Sequence, residues 1–207
     1  MDDVHSARRR RGAPPAGQRL TRDDVITRAS QMIATDGLAA FSLRGLADAL
    51  GVAPNALYNH VRDREDLLGA VTDRFVAGIR LPAGQQPWPD WLRAAAVSLR
   101  AQLTGRPGLT ELILARAGAS AAGPDALARF LDRLTSAGIH RALAHVAWHA
   151  LLTVTVGSLA QEQARGKDQA ATFEAVLDLT ITGLLAAAQQ PPTPQAMALL
   201  KEHELAR

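Results

Sequence analysis

The stretch from Ser42 to Leu68, SLRGLADALGVAPNALYNHVRDREDLL, sets three helix starts in quick succession. Ser42 can cap a helix whose inward stripe is Leu43, Leu46, Ala47 and Leu50, and Gly51 stops it. After Val52 and Ala53 the spacing predicts another short helix that turns Leu57 and Val61 inward. Asp63 then opens a longer one with Leu67, Leu68, Val71, Phe75 and Ile79 on its buried side. Lone helices shorter than about 12 to 15 residues are marginal in water, so these pieces must share one core.

The helix upstream completes that core. Leu20 can staple, Thr21 can cap, and Asp24 stands three residues on, where a capping-box acid belongs. Val25, Ile26, Ala29, Met32 and Ile33 then recur on one face until Asp36 and Gly37. Beyond the fourth helix, Leu81 to Pro87 carries two prolines and a glycine and breaks the pattern. Further helices are expected near Trp88 to Leu103, Leu109 to Arg116, Pro124 to Ala137, Arg141 to Arg165 and Ala171 to Gln190. A last short one follows Pro194. Strand signals are nearly absent, because Thr153 to Val156 sits inside a helical pattern. The expected fold is all-α.

Composition narrows the function classes. Hydrophobic residues make up 47% of the 207-residue chain and cysteine is absent, which favours aliphatic helix packing and excludes disulfides. The N-terminus has arginines without an apolar region behind them, so it cannot act as a secretory signal. No run of about 18 apolar residues suggests a membrane span, and a cytoplasmic location is expected. The only basic run is Arg8 to Arg11, in a Gly- and Pro-containing segment too polar to fold alone. Residues 1–19 are therefore expected to be a flexible basic arm, either a solubilising tail or a contact to phosphate or the minor groove.

Helix, Gly51-containing turn and short helix form the helix-turn-helix arrangement, in which the second helix enters the DNA major groove. With Leu57 and Val61 inward, Asn55, Ala56, Tyr58, Asn59 and His60 are left on the exposed sides. Asn55 or Asn59 can pair with adenine, Ala56 can touch a thymine methyl, and Tyr58 and His60 have the reach for backbone oxygens. Arg44 on the preceding helix can add a base or phosphate contact, and Arg62 and Arg64 after the recognition segment add charge for phosphate. The capping residues Thr21 and Ser42 complete the DNA-facing candidates.

From Thr21 to about Phe75 the sequence resembles the TetR family of bacterial transcriptional repressors. The resemblance is carried by FSLRGLADALGVAPNALYNHVRDREDLL at residues 41 to 68. It implies a recognition role for the third helix, backbone contacts for Tyr58 and His60, and a phosphate contact for Arg64. It also implies a homodimer whose C-terminal helices pair the subunits and enclose an effector pocket. The LYNHV segment is similar to the tetracycline-repressor type. Asn59 stands where that type has tryptophan, and Pro54, Asn55 and Ala56 stand where it has its base-reading residues, so the operator does not carry over. The expected division is the arm at 1–19, a helix-turn-helix domain at 20–66, and a ligand-binding and dimerisation domain at 67–207.

In the second region, the helices near 141–165 and 171–190 are apolar enough to form a four-helix dimer interface or to fill the subunit's own core. Pocket candidates are Trp148, His145, His149, Thr153, Phe130 and Gln161, an apolar wall with polar handles suited to a hydrophobic or aromatic effector. Trp88 and Trp91 read as anchors of a helix start. His145 and His149 have a spacing that can chelate a metal, but no third ligand lies within reach on their helix. No metal, cofactor or enzymatic activity is therefore expected. The competing readings are a DNA-binding dimer without an effector and a helical metal-dependent enzyme using His145 and His149. The latter lacks a phosphate loop, a nucleophile elbow and an HExxH motif.

Overall fold

The computed structural model describes residues 20–205, so the Arg8 to Arg11 arm lies outside the described residues. Those residues form helices joined by turns, with no strand among them. Helix α1 (Arg22–Asp36) starts in the expected capping box. The Thr21 hydroxyl accepts the Asp24 N–H at 3.1 Å, and the Asp24 carboxylate accepts the Thr21 N–H at 2.9 Å. Ser42 caps α2 (Leu43–Leu50) by accepting the Gly45 N–H at 3.1 Å, and Gly51, at φ 70°, closes it in the left-handed region. Asp63 caps α4 (Arg64–Ala77) through the Asp66 N–H at 2.7 Å.

The third helix is shorter than its spacing suggested. Only Pro54–Leu57 is α-helical (α3), headed by Pro54 in the first turn. The chain then tightens to three-residue hydrogen bonds, Asn59 N–H to the Ala56 carbonyl at 3.4 Å and His60 N–H to the Leu57 carbonyl at 2.8 Å. The tightening does not disturb the inward positions, since Leu57 and Val61 are both buried.

The remaining helices are α5 (Trp88–Leu103), α6 (Pro107–Arg116), a 3-10 turn (Ala117–Ala119), α7 (Gly123–Thr135), α8 (Arg141–Arg165), α9 (Ala170–Ala187) and α10 (Pro194–Leu205). Helix α6 begins earlier than expected because Pro107 suits the first helical turn. Helix α8 is the hub, packed by α5, α6, α7, α9 and α10. Helix α4 lies between α1 on one side and α6 and α7 on the other, so one apolar core runs through both regions. At its centre Phe130 sits between Trp91 and Trp148, with ring centroids at 5.4 and 5.1 Å. Trp91 also fixes the start of α5, as expected, by donating from Nε1 to the Pro82 carbonyl at 2.9 Å.

The two regions meet at Gly108. A Cβ built there would stand 2.1 Å from the Ile33 carbonyl oxygen and 2.9 Å from the Gly37 Cα, so only glycine allows α6 to approach the end of α1 this closely. Helices α8 and α9 are each long and apolar enough, by length and composition, to cross a membrane. The absence of an unbroken apolar run in the sequence concealed this, because their polar residues are interspersed. In α8 half of that stretch is buried within the fold, against 22% in α9. Helix α9 leaves Val176, Leu179 and Leu185 exposed.

Candidate nucleic-acid interface

The sequence of the recognition segment buries two residues and leaves a polar flank outside. Asn55, Tyr58 and Asn59 are exposed, while Ala56 and His60 are half-buried at its margins. Tyr58 is 56% exposed, the largest exposure of an aromatic in this region. Arg44, Ser42 and Thr21 are exposed as well. The hydroxyls of Ser42 and Thr21 are already engaged as helix caps, and Thr21 Oγ1 donates to Asp24 at 2.6 Å.

The segment is held by an ion-pair cluster that the local pattern did not reveal. Arg22 in the first turn of α1 donates to the His60 carbonyl and pairs with Asp66 of α4 at 3.4 Å. Asp66 also accepts the Arg62 N–H at 3.0 Å. That backbone bond, and then the Arg22 side chain, hold the Asp66 carboxyl below its ordinary range. The Asp24 carboxyl is lowered too, first by the Thr21 hydroxyl and then by the Thr21 backbone. Arg64, to which the resemblance gave a phosphate contact, has a side chain 42% exposed and pairs with Glu65 at 3.7 Å. Its guanidinium donates to the Leu38 carbonyl at 3.3 Å and lies 6.0 Å from the centre of the Phe41 ring. Arg62, beside it, is exposed.

A cavity of 530 Å³ lies behind this unit, between α4 and the helices of the second region. Helix α4 gives it Phe75 and Val76, the segment just after it gives Ile79, and α8 gives it Trp148, His149, Leu152 and Val156. The turn after α6 forms another wall with Ala117, Gly118 and Ser120. Of the six pocket candidates, Trp148 and His149 line this space and four do not. Phe130 is fully buried behind Trp148, and His145 is buried one turn below His149. Thr153 and Gln161 are exposed. At about 100° per residue, Gln161 falls on the side of α8 opposite the lining residues and Thr153 on their flank. Among the described residues no three His, Asp or Glu side chains converge as a metal site.

The same cavity wall is bonded to α4. Asp73 accepts from Ser120 Oγ at 2.7 Å and from the Ala121 N–H at 2.8 Å, and Arg116 reaches Glu65 at 2.6 Å. Neither these contacts nor Gly108 carried a signal in the sequence, because each joins residues far apart in the chain.

A recognition segment held against the first helix, in front of a helical region with an internal cavity, defines a helix-turn-helix regulator. Comparison with known proteins gives the family. The profile of bacterial regulatory proteins of the tetR family matches residues 25–71. An HTH-type transcriptional regulator of Saccharopolyspora erythraea is 33% identical over 164 residues, covering 77% of this chain and 68% of its own. The chain belongs to the TetR family of bacterial transcriptional regulators. Among solved structures, the Streptomyces coelicolor TetR family protein ActR in complex with (S)-DNPA superposes with a TM-score of 0.72 at 25% identity, over 81% of this chain and 98% of that one. BioQ with its double-stranded DNA operator gives 0.68 at 27% identity, over 81% and 99%.

Proposed function

We propose that this regulator is a repressor that binds a pseudo-palindromic operator as a homodimer and leaves it when a hydrophobic or aromatic effector fills the cavity. The observation that carries the reading is the double role of α4. Its first turn is tied to the recognition segment through Asp66 and Arg22, and its last turns form a wall of the 530 Å³ cavity. A ligand that pushes on Phe75 or Val76 therefore acts on the same rigid rod that holds His60 and its neighbours. Such a ligand works only by favouring one α4 position, and by linkage the operator weakens its binding equally.

The recognition surface takes Asn55 and Asn59 for base edges, and Tyr58, His60, Arg44 and Arg62 for backbone phosphate. Ser42 and Thr21 stand beside it and keep their capping bonds. The BioQ complex with operator DNA supports the first partner and the ActR complex with (S)-DNPA the second. Covering Val176, Leu179 and Leu185 of α9 by a second copy, in a two-fold arrangement, brings two recognition segments to successive major grooves about 34 to 36 Å apart. A regulator of this kind works in the cytoplasm, with the chromosome.

The decisive experiment selects bound duplexes from a random pool. The expected product is a pair of two-fold-related half-sites, and equal recovery of unrelated duplexes at moderate salt refutes the reading. A library of hydrophobic and aromatic compounds is then screened by thermal shift, where a ligand at 100 times its dissociation constant adds about 2.7 kcal/mol. A true effector lowers operator affinity in the same preparation.

A further inference from the structure

The segment that follows α4 is pinned to α5. The Arg80 N–H donates to Gln102 at 3.2 Å, its carbonyl accepts from Ser98 Oγ at 2.9 Å, and the Pro82 carbonyl accepts from Trp91. Between this segment and α7 runs a groove of 470 Å³. One side is apolar, made by Ile79, Leu81, Pro82 and Trp91, and the rest is Arg80, Arg129 and Arg133.

None of these three arginines forms an ion pair with a described residue. Asp125 and Asp132 lie one turn to either side of Arg129 on α7, yet neither pairs with it. Arg133 lies 5.5 Å from the centre of the Trp91 ring and gives one N–H to the Gln86 carbonyl at 2.6 Å. Its Nε is buried and makes no hydrogen bond, a cost that an acceptor at the groove offsets. Among the described residues no carboxylate lines this space to balance its charge.

Guanidinium forks suit planar carboxylates, and the indole with its aliphatic neighbours suits a flat apolar body. We propose that this groove is a binding site for an aromatic carboxylate, distinct from the 530 Å³ cavity, with which it shares Ile79 as a wall. Its apolar half is poorly matched to a nucleic-acid backbone. It also lies at the far end of α4 from the recognition segment, roughly 20 Å away at 1.5 Å per residue. The proposal is independent of the effector reading, because its test uses no operator.

The test is calorimetric titration of the full chain with 2-naphthoate and with its neutral isostere 2-naphthamide. The wild-type chain is expected to bind the carboxylate about tenfold more tightly than the amide, and the double variant Arg80→Ala, Arg129→Ala to lose that preference. Both side chains are exposed and form no ion pair with a described residue, so the variant is expected to unfold like the parent. Leu152→Trp, which fills the larger cavity, is expected to leave naphthoate affinity within about twofold. Unchanged naphthoate affinity in the double arginine variant overturns the proposal. So does loss of naphthoate binding in a folded Leu152→Trp chain, which puts the probe in the larger cavity. A fall in affinity for unrelated duplex DNA that matches the loss of naphthoate binding also overturns it, by assigning the arginines to phosphate.

Discussion

Helices α1, α2 and α4 each begin at a side chain, Thr21, Ser42 or Asp63, that accepts a backbone N–H of its own first turn. Helices α5, α6 and α7 begin with a proline in the first turn and no such bond. The difference follows what each region must hold. Helices α1, α2 and α4 surround a small core and must keep a polar flank outward, so their starts are fixed by local polar chemistry, while the four-residue α3 between them starts at Pro54 without a side-chain cap. Helices α5, α6 and α7 surround a large aromatic and aliphatic core, and volume fixes them, whereas α8 behind them again starts at a side chain, His140, that accepts the Ala142 N–H.

The sharpest way to break this contrast is to remove volume from the second region. Phe130, enclosed by Trp91 and Trp148, is expected to cost about 3 to 5 kcal/mol as Phe130→Ala, read as a lower urea midpoint at unchanged slope. A cost no larger than that of losing a cap would mean that packing is not what specifies this half. At the seam the expected effect is intermediate. Gly108→Ala puts a methyl against the Ile33 carbonyl, and about 1 to 3 kcal/mol is expected unless α6 moves away from α1. Weaker operator binding in the same variant would show that the seam also sets the position of the recognition segment. Cap removal comes next. Ser42→Ala and Asp63→Ala are each expected to cost about 1 kcal/mol in the same urea titration, and a negligible change would remove the local half of the contrast.

Legibility in the sequence followed the same division. Thr21, Ser42, Gly51 and Asp63 were readable as helix limits because a cap and its N–H partner lie within three residues. Leu57 and Val61 were readable as buried because one helical face repeats every three to four residues. The shortening of α3 was not, since the turn to three-residue hydrogen bonds leaves the apolar spacing unchanged. In the second region the helices of 88–103 and 141–165 were legible, but the cavity was legible only in Trp148 and His149. Phe130, Thr153 and Gln161 share apolar or polar character with true lining residues. Which side of α8 faces α4 depends on contacts made across the whole chain. Arg22 with His60, Asp73 with Ser120 and Gly108 with Ile33 were invisible for the same reason.

The smallest expected effect tests whether the N-terminal unit's polar pinning responds to acid. The Asp66 carboxyl is lowered from its ordinary value of 3.8 by the Arg62 N–H and the Arg22 guanidinium, and its side chain is only 15% exposed. A depressed folded-state value means that the unfolded chain takes up the proton first. The contribution of Asp66 is therefore complete above the unfolded value and disappears as pH falls through the lower folded one. Asp66→Asn keeps the shape but removes the charge, and it replaces one accepting oxygen with an amide. It is expected to cost about 0.5 kcal/mol at pH 7 and less as the medium is acidified below pH 4, so the urea midpoints of variant and parent converge. Parallel midpoints down to pH 2 would mean that Arg22 gains nothing from the carboxylate. Its bond to the His60 carbonyl would then hold the end of the recognition segment without help from α4.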